Sequence, residues 1–209
     1  MRNPLFHACR NGHVAVVELL LKDERVDPAV DDNAATRWAA NSGHVAVVEL
    51  LLKDSRVDPA AVDNAAIRWA ADIGHLRVVG LLMKDPRVNP AARDNYAIRL
   101  AAHNGHFAIV ELLLKDERVD PAAGDNFAIR WATSNGHEAV VDLFLRRPCR
   151  QAAVALSVLN SRCFQKSNPD IELRIIAMAF GDSMAEFRWN RRNLAIGDFE
   201  NLLIKLNGK

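Results

Sequence analysis

The chain has 209 residues, half of them hydrophobic and a quarter charged, with 27 Lys and Arg against 26 Asp and Glu. That composition excludes a disordered chain, and a net charge of +1 gives no global attraction to nucleic acid or to an anionic membrane. Cys9, Cys149 and Cys163 show no metal-like spacing and read as reduced thiols; no apolar run nears the ~20 residues that span a bilayer, and Met1-Arg2-Asn3-Pro4 opens no secretory leader, so the chain is expected inside a cell, cytoplasmic or nuclear.

Along the chain, Gly12-His13, Gly43-His44, Gly74-His75, Gly105-His106 and Gly136-His137 recur in steps of 31 residues. Asp27-Pro28, Asp58-Pro59, Asn89-Pro90 and Asp120-Pro121 keep the same step, as do Asp32-Asn33, Asp63-Asn64, Asp94-Asn95 and Asp125-Asn126. Arg37, Arg68, Arg99 and Arg130 follow, each before Trp38, Trp69, Leu100 or Trp131. Several independent marks on one period signal a repeat architecture.

Each unit reads as two short helices and a loop. The first runs from about Ala34 to Asn41 in one unit, near 65–72, 96–103 and 127–134 in the others. Asn33, Asn64, Asn95 and Asn126 stand just before it as expected N-caps. Gly43 and its equivalents break the helix. The second helix, about His44 to Lys53, carries Val48, Leu51 and Leu52 as its apolar stripe. Glu18/Lys22, Glu49/Lys53 and Glu111/Lys115 are spaced for pairing on its wet side, and Asp-Pro ends it. So short a helix pair cannot bury its own apolar face, but a stack of them can. Trp38, Trp69 and Trp131 are expected as rings clamped between units.

The run Ala39-Ala40-Asn41-Ser42-Gly43-His44, then Val47-Val48-Glu49-Leu50-Leu51, resembles the ankyrin pattern A-A-x-x-G-H-x-x-V-V-x-x-L. Asn3-Pro4-Leu5-Phe6-His7-Ala8-Cys9 is similar to its T-P-L-H-x-A-A. The 31-residue step departs from the family's period of about 33, the family His becomes Arg68, Arg99 or Arg130, and the later Thr-Pro becomes Ala65-Ala66 or Tyr96-Ala97. This variant resembles the repeats of giant DNA viruses and protists. The resemblance implies an all-α ankyrin solenoid of about five stacked helix-turn-helix units with short hairpin loops. The array is expected over 1–148, with units near 1–33, 34–64, 65–95, 96–126 and 127–148, and a divergent helical cap or extension over 149–209.

Two readings compete for the repeated polar residues. Neighbouring helices pack ~8–10 Å apart, too far for equivalent histidines to share a zinc ion that holds nitrogen at ~2.0–2.1 Å. His44, His75, His106 and His137 are therefore expected to tie loop to neighbouring unit, as the resemblance implies. A row of Arg37, Arg68, Arg99 and Arg130 could track phosphates, but an acidic residue stands five places before each. An internal Arg–Asp ladder is the expected use. No nucleophile elbow, phosphate loop or H-E-x-x-H occurs, so neither catalysis nor a cofactor, metal or small-molecule substrate is expected.

Positions that vary at constant phase are free to read a partner. They precede each Gly-His (Asp72, Ile73, His103, Asn104, Ser134 and Asn135 among them), start the first helix (Tyr96, Phe127) or sit in the loop (Arg93). The resemblance puts the first group on a concave face and implies that another protein binds there, the chain being otherwise a monomer. Tyr96 and Phe127 can instead merely cover their helix starts. Gly80, inside the third unit's second helix, reads as drift, with a hinge as the sharper alternative. Leu5 and Phe6 are expected as an exposed apolar flank. In the tail, Pro169-Asp170-Ile171-Glu172-Leu173 with Ile176 and Phe180 resembles an F-box, the dock of ubiquitin-ligase substrate receptors, which stands as the alternative function.

Overall fold

The computed structural model describes residues 3–145. The expected C-terminal cap of 149–209, with its F-box-like stretch, lies outside them. Ten helices and no strand are present among the described residues: α1 (Pro4–Arg10), α2 (Val14–Leu21), α3 (Val30–Asn41), α4 (Val45–Lys53), α5 (Ala61–Ile73), α6 (Leu76–Leu82), α7 (Ala92–His103), α8 (Phe107–Leu113), α9 (Ala123–Ser134) and α10 (Glu138–Leu145). They pair as five units, α1 with α2 through α9 with α10.

The first helices form one row and the second helices another, and neighbours in the first row approach more closely than neighbours in the second. Side-chain size explains the difference. Ala39, Ala40, Ala70, Ala71, Ala101 and Ala102 are fully buried at the first-row contacts, whereas the second row brings Val48, Leu51, Val79 and Leu82. A stack with one tight row bends toward it, so the first helices line the concave side. Burial also pushes the Cys9 thiol of α1 up to about 12, which leaves it inert.

Every first helix after α1 opens with three consecutive left-handed residues. Asp31, Asp32 and Asn33 have φ of 55°, 56° and 60°; Val62-Asp63-Asn64, Arg93-Asp94-Asn95 and Gly124-Asp125-Asn126 repeat the turn. For L-residues this conformation costs ~1–2 kcal/mol each, so something must hold it. The guanidinium of Arg37 donates to the main-chain oxygens of Asp32 at 3.1 Å and Asp31 at 2.7 Å. Arg68 does the same to Asp63 at 3.0 Å and Val62 at 2.9 Å.

These bonds correct two expectations. Arg37 and Arg68 take carbonyls, not the carboxylates of an Arg–Asp ladder, because the left-handed turn aims its carbonyls at them and leaves the carboxylates in solvent. Among the four, only Arg130 reaches a carboxylate, Asp125 at 3.1 Å. The asparagines, themselves left-handed, do not cap their own helices. Asn33 Oδ1 accepts the N–H of Asp58 at 2.8 Å, Asn64 that of Asn89 at 2.7 Å and Asn95 that of Asp120 at 2.8 Å, each in the following unit.

Two further side chains cross between units. His44 Nε2 meets the Arg10 carbonyl at 3.0 Å, and His75, His106 and His137 meet those of Asn41, Asp72 and His103. A carbonyl only accepts, so each Nε2 carries the proton. The ring lies flat over the previous unit's glycine: a Cβ on Gly43 would stand 2.7 Å from the His75 ring, and Gly43 has φ of 76° besides. Gly and His thus recur together because one unit's His needs its predecessor's Gly. The second bracket is Arg56, held by Asp54 at 2.6 Å while it donates to the carbonyls of Val26 and Leu21, 2.9 and 3.0 Å away. Arg87 with Asp85 and Arg118 with Asp116 repeat it. The side-chain hydrogen bond from each Arg holds Asp54, Asp85 and Asp116 below the ordinary carboxyl range.

The expectation about the apolar flank also changes. Leu5 is fully buried, and the exposed flank is instead Val16 and Leu19 on α2, 48% and 70% accessible. Leu5 belongs to the common apolar core, which α1 enters by packing on both α2 and α3. Glu18–Lys22 and Glu49–Lys53 pair at 3.0 and 3.1 Å on exposed surface, worth little.

Three measurements follow. Gly43→Ala should cost about 2 kcal/mol or more, from positive φ and the His75 ring, while Gly80→Ala, whose Cβ meets only Leu112 Cδ2 at 3.6 Å, should gain up to ~1 kcal/mol from helix propensity; urea melts that moved both variants the same way would contradict this. Val62, a β-branched residue at φ 54°, should be replaceable by Asn with a gain of about 1 kcal/mol, and a lower melting temperature for Val62→Asn would count against the left-handed turn. Because the folded Asp85 carboxyl titrates below the unfolded value of ~3.9, its stabilisation is present above that value and is lost as pH falls through it toward the depressed one. The melting temperature should drop as pH falls through about 4 and below, and Asp85→Asn should be less stable at neutral pH yet fall less steeply; an unchanged slope would remove this pair from the account.

Candidate functional site

The concave side is built by the outward edges of α3, α5, α7 and α9 and by the residues just before each Gly-His. A ladder of rings runs along its first half. Phe6 meets Trp38 at 6.2 Å between centroids, and Trp38 meets Trp69 at 5.8 Å, edge to face. Arg10 lies 5.0 Å over Trp38 and Arg37 5.5 Å over Trp69. These tryptophans are half-buried, so the rings join units and still show an edge to solvent. The cation over each face adds ~0.5–1 kcal/mol at such exposure.

The second half is different in kind. Leu100 replaces the tryptophan of α7, and the rings move to the helix starts as Tyr96 and Phe127. Phe127 and Trp131 stack edge to face at 4.4 Å, and His103 meets Trp131 at 4.8 Å. Arg68 lies 5.8 Å over Tyr96, and Arg130 5.6 Å over Phe127. Burial, then the nearby Arg93 charge, pulls the Arg68 guanidinium down from its ordinary value.

The sequence-chosen residues divide into four sets. Tyr96, His103 and Phe127 come together with Trp131 and Arg99. Ile73 is 52% exposed and stands one unit earlier at the phase of Asn104. The polar members are engaged within the stack. Asn104 Nδ2 donates to the carbonyl and carboxylate of Asp72 at 2.9 and 2.8 Å, one unit back. Asn135 Nδ2 lies 3.0 Å from His103 Nδ1 and donates to its carbonyl at 3.2 Å. Ser134 donates to the Trp131 carbonyl at 3.0 Å. Arg93 sits apart in the left-handed turn, paired with Asp63 at 3.4 Å on exposed surface.

Two features escaped the sequence reading. The Asp-x-Arg bracket was visible there, since Asp23/Arg25, Asp54/Arg56, Asp85/Arg87 and Asp116/Arg118 keep the same step. Its inter-unit reach was not. Arg99 was placed in the ladder, yet its Nε is buried without a hydrogen-bond partner. No group of three or more His, Cys, Asp or Glu among the described residues could hold a metal ion. No helix among them is long and apolar enough to cross a membrane.

The curated proteins contain no match to the chain. The family model for ankyrin repeats (3 copies) matches residues 1–63 and 67–153, running a few residues past the point where the sequence phase is lost. With the paired helices and the Gly-His bracket, that match over most of the chain places it in the ankyrin-repeat family, whose repeats generally mediate protein–protein interaction and are typically non-enzymatic.

Proposed function

We propose that this chain binds a partner protein through the concave side of its second half, between α5 and α9, and performs no chemistry on it. One observation carries the reading. Here Leu100 interrupts the ring ladder, which Trp131 alone keeps in this half, and further rings stand at the helix starts, with Tyr96 and Phe127 half-buried, while Ile73 is exposed at 52% at the end of α5. Half-buried rings and an exposed aliphatic residue on one side of the stack are the usual energetic material of an interface. The bonds that tie Asn104 to Asp72 and Asn135 to His103 hold that centre in place, so binding orders few side chains and costs less entropy. Asp72, Asn104, Ser134 and Asn135 then form its polar rim, and Arg93, apart in the turn, is a further candidate contact.

The test is capture from native cells with the full chain and with full-length Ile73→Glu/Tyr96→Ala/Phe127→Ala, checked by circular dichroism for unchanged helicity. A protein identified with the first bait should bind it directly and lose about tenfold or more in affinity with the second. Equal affinity for both chains would move the function away from this face.

A further inference from the structure

Arg99 stands at the same phase as Arg37, Arg68 and Arg130 but makes none of their bonds. Arg37 and Arg68 each clamp two carbonyls of their own left-handed turn, and Arg130 reaches Asp125. The Arg99 guanidinium instead leans toward the following unit. Its carbon lies 4.6 Å from the Phe127 ring centroid, 5.3 Å from Tyr96 and 5.9 Å from Trp131. It lies against Gly124, where a Cβ would meet Nη1 at 3.5 Å, an ordinary van der Waals contact; the equivalent places hold Asp31, Val62 and Arg93.

An arginine carries five N–H donors and is never neutral. Half-buried among three rings, Arg99 makes no hydrogen bond within the stack; its Nε is buried without a partner, as is that of Arg130, and its Nη groups are the donors open to an oxygen supplied from outside. The neighbouring charges define which oxygen. Arg93 is engaged by Asp63 and Arg130 by Asp125, and Asp94 stands exposed on the turn that opens α7. Arg68, over the same Tyr96 ring, spends its guanidinium on carbonyls, so Arg99 is the cation of this cluster with neither a carbonyl nor a carboxylate bonded to it, and an acid suits it. The rings around it suit an apolar neighbour of that acid.

Resting on the protein-binding reading of the same face, we infer that Arg99 is the specificity-determining residue of the site. It receives the carboxylate of an Asp or Glu that lies beside an apolar residue in the partner's sequence. Its Nη groups bond the acid, while Phe127, Tyr96 and Trp131 keep water from the pair and hold the guanidinium planar to the incoming fork.

A random dodecamer peptide library, selected on the full chain and on full-length Arg99→Gln and Arg99→Lys, tests this. Arg99 makes no hydrogen bond in the stack, so both variants should keep wild-type helicity, with melting lowered only by the lost ring contacts. The wild-type chain should select peptides with a fixed Asp or Glu, and changing that residue to Asn or Gln should weaken binding about tenfold or more. Arg99→Gln should bind acid and amide peptides alike, and Arg99→Lys should restore part of the difference. Selected peptides without an acidic position, or an acid preference that survives in Arg99→Gln, would overturn the inference; if their binding is still lost with the Ile73/Tyr96/Phe127 variant, the protein-binding reading survives. A library that yields no binder overturns both. Displacement of selected peptides by a single-stranded oligonucleotide at physiological salt, lost in Arg99→Gln, would assign the arginine to phosphate instead.

Discussion

The stack is held by side chains that satisfy backbone groups belonging to another unit. His44 serves a carbonyl 34 residues back, Arg56 serves two that lie 30 and 35 back, and Asn33 serves an N–H 25 residues ahead. All three offsets are set by the period. One residue more or less in a unit would carry every one of these atoms out of reach, and a buried polar group left unpaired costs ~1–3 kcal/mol. The strict 31-residue step is therefore a consequence of hydrogen bonding across units more than of the apolar core, which tolerates slippage between similar residues far better.

The left-handed turn belongs to the same accounting. It is the short route from the Asp-Pro turn into the first helix, and it replaces residues that a longer repeat would spend on a projecting hairpin. Its backbone cost is met in two directions. The first-helix arginine satisfies its carbonyls from within, and the turn's asparagine delivers an acceptor to the next unit. Val62 shows that the turn is imposed from outside its own residues: a β-branched side chain disfavours positive φ, yet adopts it at φ 54°. Tertiary bonds there override local preference.

How much of this was legible follows the same division. Period, helix pairs, apolar stripes and the Gly-His marks are local patterns and could be read directly. The role of Asn33 could not, because Asn favours both an N-cap and a left-handed residue, and the deciding partner, Asp58, is a full turn of the solenoid away. The arginines misled for a related reason. Carboxylates close in sequence suggested salt bridges, but a left-handed backbone turns its carbonyls toward the guanidinium. The Asp-x-Arg pairs escaped because their acids resembled an ordinary solvated face. At the candidate face, the variable positions were legible as variable, and nothing in the sequence distinguished Asn104 and Asn135, bound within the stack, from Ile73, which is exposed.

Arg99 shows where these constraints relax. A scaffold whose every polar offset is prescribed has little freedom to acquire a ligand, except where one unit drops a prescribed bond. Four substitutions at fixed phases coincide around α7 and α9. Leu100 stands in place of a tryptophan, rings are placed at Tyr96 and Phe127, and Gly124 lies against the guanidinium without a side chain. Each alone is a minor departure from the repeat. Together they take one arginine out of the turn-clamping role that Arg37 and Arg68 keep and leave its charge among aromatic faces. The loss falls on one turn only, the one carrying Arg93, Asp94 and Asn95, and that turn keeps its other supports: Asn95 still accepts from Asp120, and Arg93 still pairs with Asp63. In a solenoid whose stability is a sum of unit and interface contributions, such a local loss leaves the remaining interfaces intact, so the array can carry a cation that bonds nothing in the stack without surrendering the fold.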